Sequence, residues 1–305
     1  MSILLVAKNR NLAPFKEALL NADKNLDVEI WPNVEKPERV QLAVAWNQPK
    51  NVFDSYPNLK VISSLGAGAD HLIEDSTIPD HIIFTKIYDP SMVTQMNDYV
   101  YASVLSILMK LENYRNSEHW DPAPKYSRED LTIGIMGLGN IGKETATYLS
   151  NQGFKVFGLS NSKKEIPEIE TYTYNDLDPF LKQVNILVNL LPLTKETEGI
   201  LDLALFKKLK NPSFIINVAR GNHLIDEDLI YALDTNIIES AYLDVFNEEP
   251  LPSSHPFWSR DTLFITPHIA AISDPDNVAS ALIDNYKRLL SGMELQNVVD
   301  RSKGY

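Results

Sequence analysis

Strand-length apolar runs without polar alternation recur along this chain, and they leave few architectures open. Ile3–Ala7, Leu42–Trp46, Val61–Leu65 and His81–Phe84 form a first set. Thr132–Met136, Lys155–Leu159, Asn185–Leu190, Phe214–Val218, Ala241–Val245 and Leu263–Ile265 form a second. A strand wetted on one side alternates apolar and polar residues, whereas a strand buried on both faces does not. Both faces of a sheet are covered when crossover helices join parallel strands, and the stretches between these runs are long enough for that. The pattern predicts an α/β protein with parallel sheets.

Between the two sets lies Asp89–His119, where Tyr99, Val100, Ala102, Val104, Leu105, Ile107, Leu108 and Leu111 predict a helix buried on more than one side. Trp120-Asp121-Pro122-Ala123-Pro124 breaks it. A last helix is predicted over Pro275–Leu290. With 305 residues the chain exceeds one ordinary core. The expected division is 1–97 with 274–305 as one discontinuous domain, and 98–273 as the other. Two crossings between them would form a hinge able to close over a ligand and exclude water.

The sharpest local motif is Gly137-Leu138-Gly139-Asn140-Ile141-Gly142. It follows the strand at Thr132–Met136 and precedes a helix expected over Lys143–Gln152, with Gly153 just past its end. Gly137 suits the tight turn, Gly139 lets backbone approach a pyrophosphate, and Gly142 allows close packing of helix on strand. The helix N-terminus then offers free N–H groups and a partial positive charge, with Asn140 and Ile141 in the turn before it. A plain βα turn is the alternative, and the strand–turn–helix context disfavours it. The second domain therefore reads as a Rossmann dinucleotide-binding domain, and the first as a Rossmann-like or flavodoxin-like companion.

An acid about 20 residues after such a turn would bind the ribose 2′-hydroxyl and select NAD. Here Lys155–Leu159 runs instead into Ser160-Asn161-Ser162-Lys163-Lys164, with no carboxylate. Hydroxyls, an amide and two cations suit a 2′-phosphate, so NADPH is the expected cofactor and NADH the alternative. A solvated lysine pair is the competing explanation.

Three later strands end in polar residues. Phe214–Val218 leads to Ala219-Arg220-Gly221, Ala241–Val245 leads to Phe246-Asn247-Glu248-Glu249-Pro250, and Leu263–Ile265 leads to Thr266-Pro267-His268. In open α/β sheets ligands sit outside the carboxyl ends of the strands, where these groups could converge. Arginine can grip a carboxylate or carbonyl with its fork of donors. Histidine titrates near ~6.5 and suits a proton donor, and a carboxylate can orient and charge it. Taken singly, Arg220 could be a structural ion-pair residue and Glu249 a loop acid. His71, His81, His119, His223 and His255 lack the strand-end setting, so packing or surface roles are their default. Asp226-Glu227-Asp228 opens a helix, where acids favour the positive dipole end.

These segments resemble the signatures of the D-isomer-specific 2-hydroxyacid dehydrogenase family, in which Arg, Glu and His follow one another in this order. The glycine turn, Leu190-Leu191-Pro192-Leu193-Thr194-Lys195-Glu196-Thr197 and Ser64-Leu65-Gly66-Ala67-Gly68-Ala69-Asp70 are similar too, so the likeness covers essentially the whole chain. Within the family it is most similar to the bacterial NADPH-linked glyoxylate/hydroxypyruvate reductases, through Ile135-Met136-Gly137, the serine-flanked loop, Asp244-Val245-Phe246-Asn247 and Thr266-Pro267-His268-Ile269-Ala270-Ala271-Ile272. Those reductases carry Ser-Arg-Ser in the loop where this chain has Asn161, which leaves Lys163 or Lys164 to supply the charge.

The resemblance implies reduction of a small 2-oxo acid to the 2-hydroxy acid, with Arg220, Glu249 and His268 as the catalytic set. Leu191, Pro192, Thr197, Val218, Ala219, Asp244 and His268 would join the glycine turn and Ser160–Lys163 around the cofactor, Asp244 near the nicotinamide amide. The amides of Ala67 and Gly68 would bind the substrate carboxylate opposite Arg220, and Trp46 would wall the pocket. A homodimer is implied as well. A family member with a bulkier substrate and a non-catalytic dinucleotide sensor stay open as alternatives.

Composition closes other routes. A formal charge of −13 argues against nucleic acid and anionic membrane surfaces as partners. No cysteine is present, which excludes disulfides, thiolate metal sites and thiol nucleophiles and fits a reducing compartment. No metal-ligand spacing is found. No run approaches the ~20 apolar residues of a membrane span, and the start lacks a secretory pattern, so the cytoplasm is expected.

Overall fold

The computed structural model describes residues 2–8, 10–114, 118–120, 122 and 124–304. Arg115–Ser117, Asp121 and Ala123, part of the stretches read above as helix and helix break, lie outside the described residues. The strands are β1 (Ser2–Ala7), β2 (Asp27–Ile30), β3 (Val40–Trp46), β4 (Val61–Ser64), β5 (Ile83–Thr85), β6 (Thr132–Met136), β7 (Lys155–Leu159), β8 (Glu170–Tyr172), β9 (Ile186–Asn189), β10 (Phe214–Asn217), β11 (Ser240–Leu243) and β12 (Leu263–Ile265). The helices are α1 (Ala13–Ala22), α2 (Asp70–Ile73), α3 (Pro90–Met109), α4 (Asn140–Asn151), α5 (Leu177–Leu181), α6 (Leu203–Phe206), α7 (Asp226–Asp234) and α8 (Pro275–Ser291).

Two compact units result, Met1–Ser91 with Ser273–Tyr305, and Met92–Ile272. The sequence reading put the boundaries at 97/98 and 273/274. Position 91/92 falls in the first turn of α3, just after Pro90 opens the helix, whereas 97/98 lies inside it.

In the first unit the strands are parallel in the order β2-β1-β3-β4-β5, the flavodoxin-like arrangement. Alternate residues of β1 go to opposite faces. Ile3 and Leu5 pack with Phe15 and Leu19 of α1 and Val278 and Leu282 of α8, whereas Leu4 and Val6 pack with Phe53, Tyr56 and Leu72. Both faces are therefore covered, which is why the run shows no polar alternation. Asp274 caps α8 through the amides of Asp276 and Asn277, and Gly292 closes it at φ +68°.

The second unit is a seven-stranded parallel sheet in the order β12-β11-β10-β9-β6-β7-β8. One face packs against α3 and α4 through Val100, Val104, Ile107, Ala146 and Leu149. The other packs against α5, α6 and α7 through Phe180, Phe206, Leu229 and Ala232. Strand order reverses between β6 and β9, so the crevice beyond their carboxyl ends is the natural ligand position of such a sheet. Among the described residues no helix is long and apolar enough to cross a membrane.

Candidate active site

The turn after β6 meets the end of β9 directly, because the Leu190 amide donates to the Met136 carbonyl at 2.8 Å. Gly137 has φ +101°, and a Cβ there would lie 2.6 Å from the Leu190 carbonyl oxygen. A Cβ on Gly142 would lie 1.8 Å from the Gly137 oxygen, so the first contact of this glycine is the turn itself, with β6 behind it at Ile135. Gly139 is different: nothing lies within 4 Å of its would-be Cβ. It is the N-cap of α4, with no side-chain cap and no acid in the first turn. The first four amides of a helix have no intrahelical acceptor, and here Gly139 and Asn140 are exposed beside them. An open cradle with free donors and a positive dipole end fits a pyrophosphate.

At the end of β7, Asn161, Ser162, Lys163 and Lys164 are exposed. Ser160 turns inward and donates its hydroxyl to the Ser162 carbonyl at 2.8 Å, shaping the loop. After β9, Leu191 is buried, and Thr197 gives its hydroxyl to the Pro192 carbonyl at 2.7 Å, closing its own loop.

Two asparagines that the sequence reading passed over organise the strand ends beside this crevice. Asn189 and Asn217 are fully buried at the last positions of β9 and β10 and bond to each other at 3.0 Å. Asn189 also accepts from the Leu191 amide, and Asn217 accepts from the Ala219 amide and donates to the Arg220 carbonyl. His223, expected in a packing or surface role, is fully buried with its ring nitrogens facing the Arg220 and Pro192 carbonyls at 3.1 and 3.2 Å. It thus sits between the arginine's backbone and the loop after β9, and a neutral ring donates to one of the two carbonyls. Their signal in the sequence is a lone amide ending an apolar run, and a histidine three residues after the arginine.

Glu249 and His268 come together, with Nδ1 of His268 2.7 Å from Oε2 of Glu249. An ionised carboxylate only accepts, so Nδ1 carries the proton. The other oxygen, Oε1, accepts from the Phe246 amide at 3.0 Å. Burial pushes the Glu249 carboxyl up, but the bond and charge of His268, the Phe246 amide and the charge of Arg220 outweigh it and hold it below the usual carboxylate range. Arg220 is half-buried and donates from Nη1 to the Ala219 carbonyl.

His268 has φ +54°, the left-handed region that a non-glycine residue enters at a cost. Asp244 holds it there. Its backbone carbonyl accepts the His268 amide at 2.9 Å, Oδ1 accepts from Ile269 and Oδ2 from Ala270, both at 2.8 Å. The carboxylate implied to lie near the nicotinamide amide is therefore first an anchor for the segment of His268.

In the first unit, the Ser64 hydroxyl bends the turn after β4, bonding the Gly68 carbonyl at 2.5 Å. Ala67 and Gly68 are partly exposed there. Trp46 ends β3 with its ring 5.1 Å from that of His71, and a Cβ on Gly66 would meet its indole at 3.0 Å.

The family model described as D-isomer specific 2-hydroxyacid dehydrogenase, NAD binding domain, matches residues 102–270. The chain belongs to the D-isomer-specific 2-hydroxyacid dehydrogenase family. A D-isomer-specific 2-hydroxyacid dehydrogenase of Xanthobacter autotrophicus Py2, solved with NADPH and MES, is 32% identical over 100% of this chain and 99% of its own, with a TM-score of 0.94. The NADPH-dependent glyoxylate/hydroxypyruvate reductase of Sinorhizobium meliloti, solved with NADP and sulfate, is 33% identical over 100% of both chains, with a TM-score of 0.93. A probable 2-hydroxyacid dehydrogenase of Rhizobium etli CFN 42, solved with NADP, HEPES and L(+)-tartaric acid, is 33% identical over 100% of both, with a TM-score of 0.90. This member of the family is accordingly a nicotinamide-dependent oxidoreductase of 2-hydroxy and 2-oxo acids.

Proposed function

We propose that this dehydrogenase reduces a small 2-oxo acid of the glyoxylate or hydroxypyruvate kind, with NADPH preferred over NADH. The observation that carries the reading is the 2.7 Å pairing of His268 with Glu249 beyond the carboxyl ends of β11 and β12. Nicotinamide, when bound, supplies the hydride. His268 gives the proton at Nε2 to the substrate's carbonyl oxygen, while Glu249 keeps Nδ1 protonated and stabilises the imidazolium. Arg220 binds the substrate carboxylate and carbonyl through its donor fork. Asn140, Ile141 and the Gly139 backbone hold the pyrophosphate, and Leu191, Pro192, Val218 and Ala219 flank the dinucleotide. The acid-free Ser160–Lys164 loop and the NADP-bound relatives support the NADPH preference.

On this reading the first unit is the substrate domain, the second the cofactor domain, and the enzyme a cytoplasmic homodimer, as the family resemblance and the cysteine-free composition support. Absorbance at 340 nm across a panel of 2-oxo acids, with NADPH and NADH in parallel, tests it. Fast NADPH oxidation with glyoxylate or hydroxypyruvate is expected. Dinucleotide binding without turnover on any acid would point to a sensor instead.

A further inference from the structure

We propose that Gln95 and Tyr99 of α3 are positioning residues that brace the segment carrying His268 at both of its ends, an inference that rests on the reductase reading above. The two lie one helical turn apart, so their side chains emerge from the same face of α3. Tyr99 Oη lies 2.6 Å from Thr266 Oγ1, and Thr266 Oγ1 lies 2.6 Å from Asp244 Oδ1. Gln95 clasps Ile272 from both sides, Nε2 donating to its carbonyl at 3.0 Å and Oε1 accepting its amide at 2.9 Å. Thr266 and Ile272 flank His268–Ala271, the stretch that must keep His268 at φ +54°.

The direction of the chain of hydroxyls is forced. Thr266 donates its hydroxyl to Oδ1 of Asp244, so Tyr99 must donate to Thr266. Burial pushes the Tyr99 phenol up to about 12, and the charge of Asp244 adds to that against the Thr266 bond. The phenol accordingly keeps its proton at every working pH. Asp244 is 1% exposed and binds the amides of Ile269 and Ala270. Asp244 is buried while Tyr99 and Thr266 are half-buried, and displacing Thr266 shifts the loop that carries His268. A proton donor misaimed by a fraction of an ångström loses rate without losing cofactor affinity.

The test compares wild type, Tyr99→Phe and Gln95→Leu in the full-length enzyme. Tyr99→Phe keeps the ring and removes only the donor; Gln95→Leu carries the test independently should the first variant fail to fold. Tyr99→Phe is expected to lower kcat about tenfold, as for the loss of one oriented hydrogen bond, and Gln95→Leu, which loses two, at least as much. The deuterium isotope effect on kcat with 4-deuterated NADPH should rise, because the chemical step becomes slower relative to release. NADPH affinity, followed by nicotinamide fluorescence, should stay within about twofold. A purely structural role would lower Tm and leave kcat and the isotope effect of the folded enzyme unmoved, and that outcome overturns the proposal. Wild-type inactivity on every 2-oxo acid would instead overturn the reductase reading, and is seen before any variant is made.

Discussion

Glu249→Gln isolates the charge of one oxygen pair, and its cost can be worked from the geometry. Glu249 serves two donors with two different oxygens, the Phe246 amide on Oε1 and His268 Nδ1 on Oε2. Glutamine offers one acceptor oxygen and an NH₂ group, so one of the two donors must face another donor. If the Phe246 amide keeps the oxygen, the NH₂ turns to Nδ1 and the imidazolium is disfavoured in both charge and hydrogen bonding. A hydrogen bond to a charged partner contributes about 1.5–3 kcal/mol net. The two side chains are 32% and 36% exposed, so solvent screens part of it, leaving about 2 kcal/mol. That corresponds to about 30-fold in kcat/KM for the 2-oxo acid.

The pH profile adds a sign. In the wild type Glu249 is held below the usual carboxylate range, so its contribution is present above the ordinary value near ~4.3 and is lost only as pH falls through the depressed one. The variant has no such acid limb, and its alkaline decline should move to lower pH because the imidazolium has lost its counter-charge. Initial rates between pH 5 and 10, extrapolated to saturating NADPH, supply the assay. A loss under about threefold together with an unmoved alkaline limb would refute the coupling of Glu249 to His268.

Two glycines of the cofactor turn should behave differently from one another. Gly139→Ala places a methyl in open space, so Tm should stay within ~2 °C while NADPH affinity falls about tenfold or more, by calorimetry. Gly142→Ala drives a methyl to 1.8 Å from the Gly137 oxygen and should lower Tm by about 3–10 °C. Replacing Lys163 and Lys164 together by Gln should weaken NADPH about tenfold and NADH under twofold, since NADH has no 2′-phosphate; equal losses would reduce the pair to general charge.

What the sequence made legible follows from burial. The strands buried on both faces announced themselves as apolar runs, and all ten read that way occur in the sheets. β2 and β8 did not, because Asp27–Ile30 and Glu170–Tyr172 mix acids and exposed or half-exposed positions into short edge strands, whereas the other two edges, β5 and β12, stay mostly apolar. The four- and five-residue helices α2, α5 and α6 are too short to show a period. At the site, the glycine turn and the order Arg220, Glu249, His268 were readable because motif residues stand close in sequence to the strands that carry them. The bonds that aim them were not. Tyr99 and Thr266 are 167 residues apart, Gln95 and Ile272 are 177, and Asp244 serves the loop of His268 by contacts no local pattern encodes. Asn189 and Asn217 look like single polar interruptions until the sheet sets them side by side.

The claim on which everything else depends is that His268 delivers the proton. Turnover of His268→Asn with glyoxylate, measured beside its NADPH affinity, addresses that claim directly. Asparagine keeps a polar side chain of similar reach and tolerates the left-handed backbone at φ +54°, so the fold should survive. A fall in kcat of about 10²–10⁴-fold with NADPH affinity nearly unchanged is the expected result. Turnover at the wild-type rate would contradict it and move the proton donor to another group.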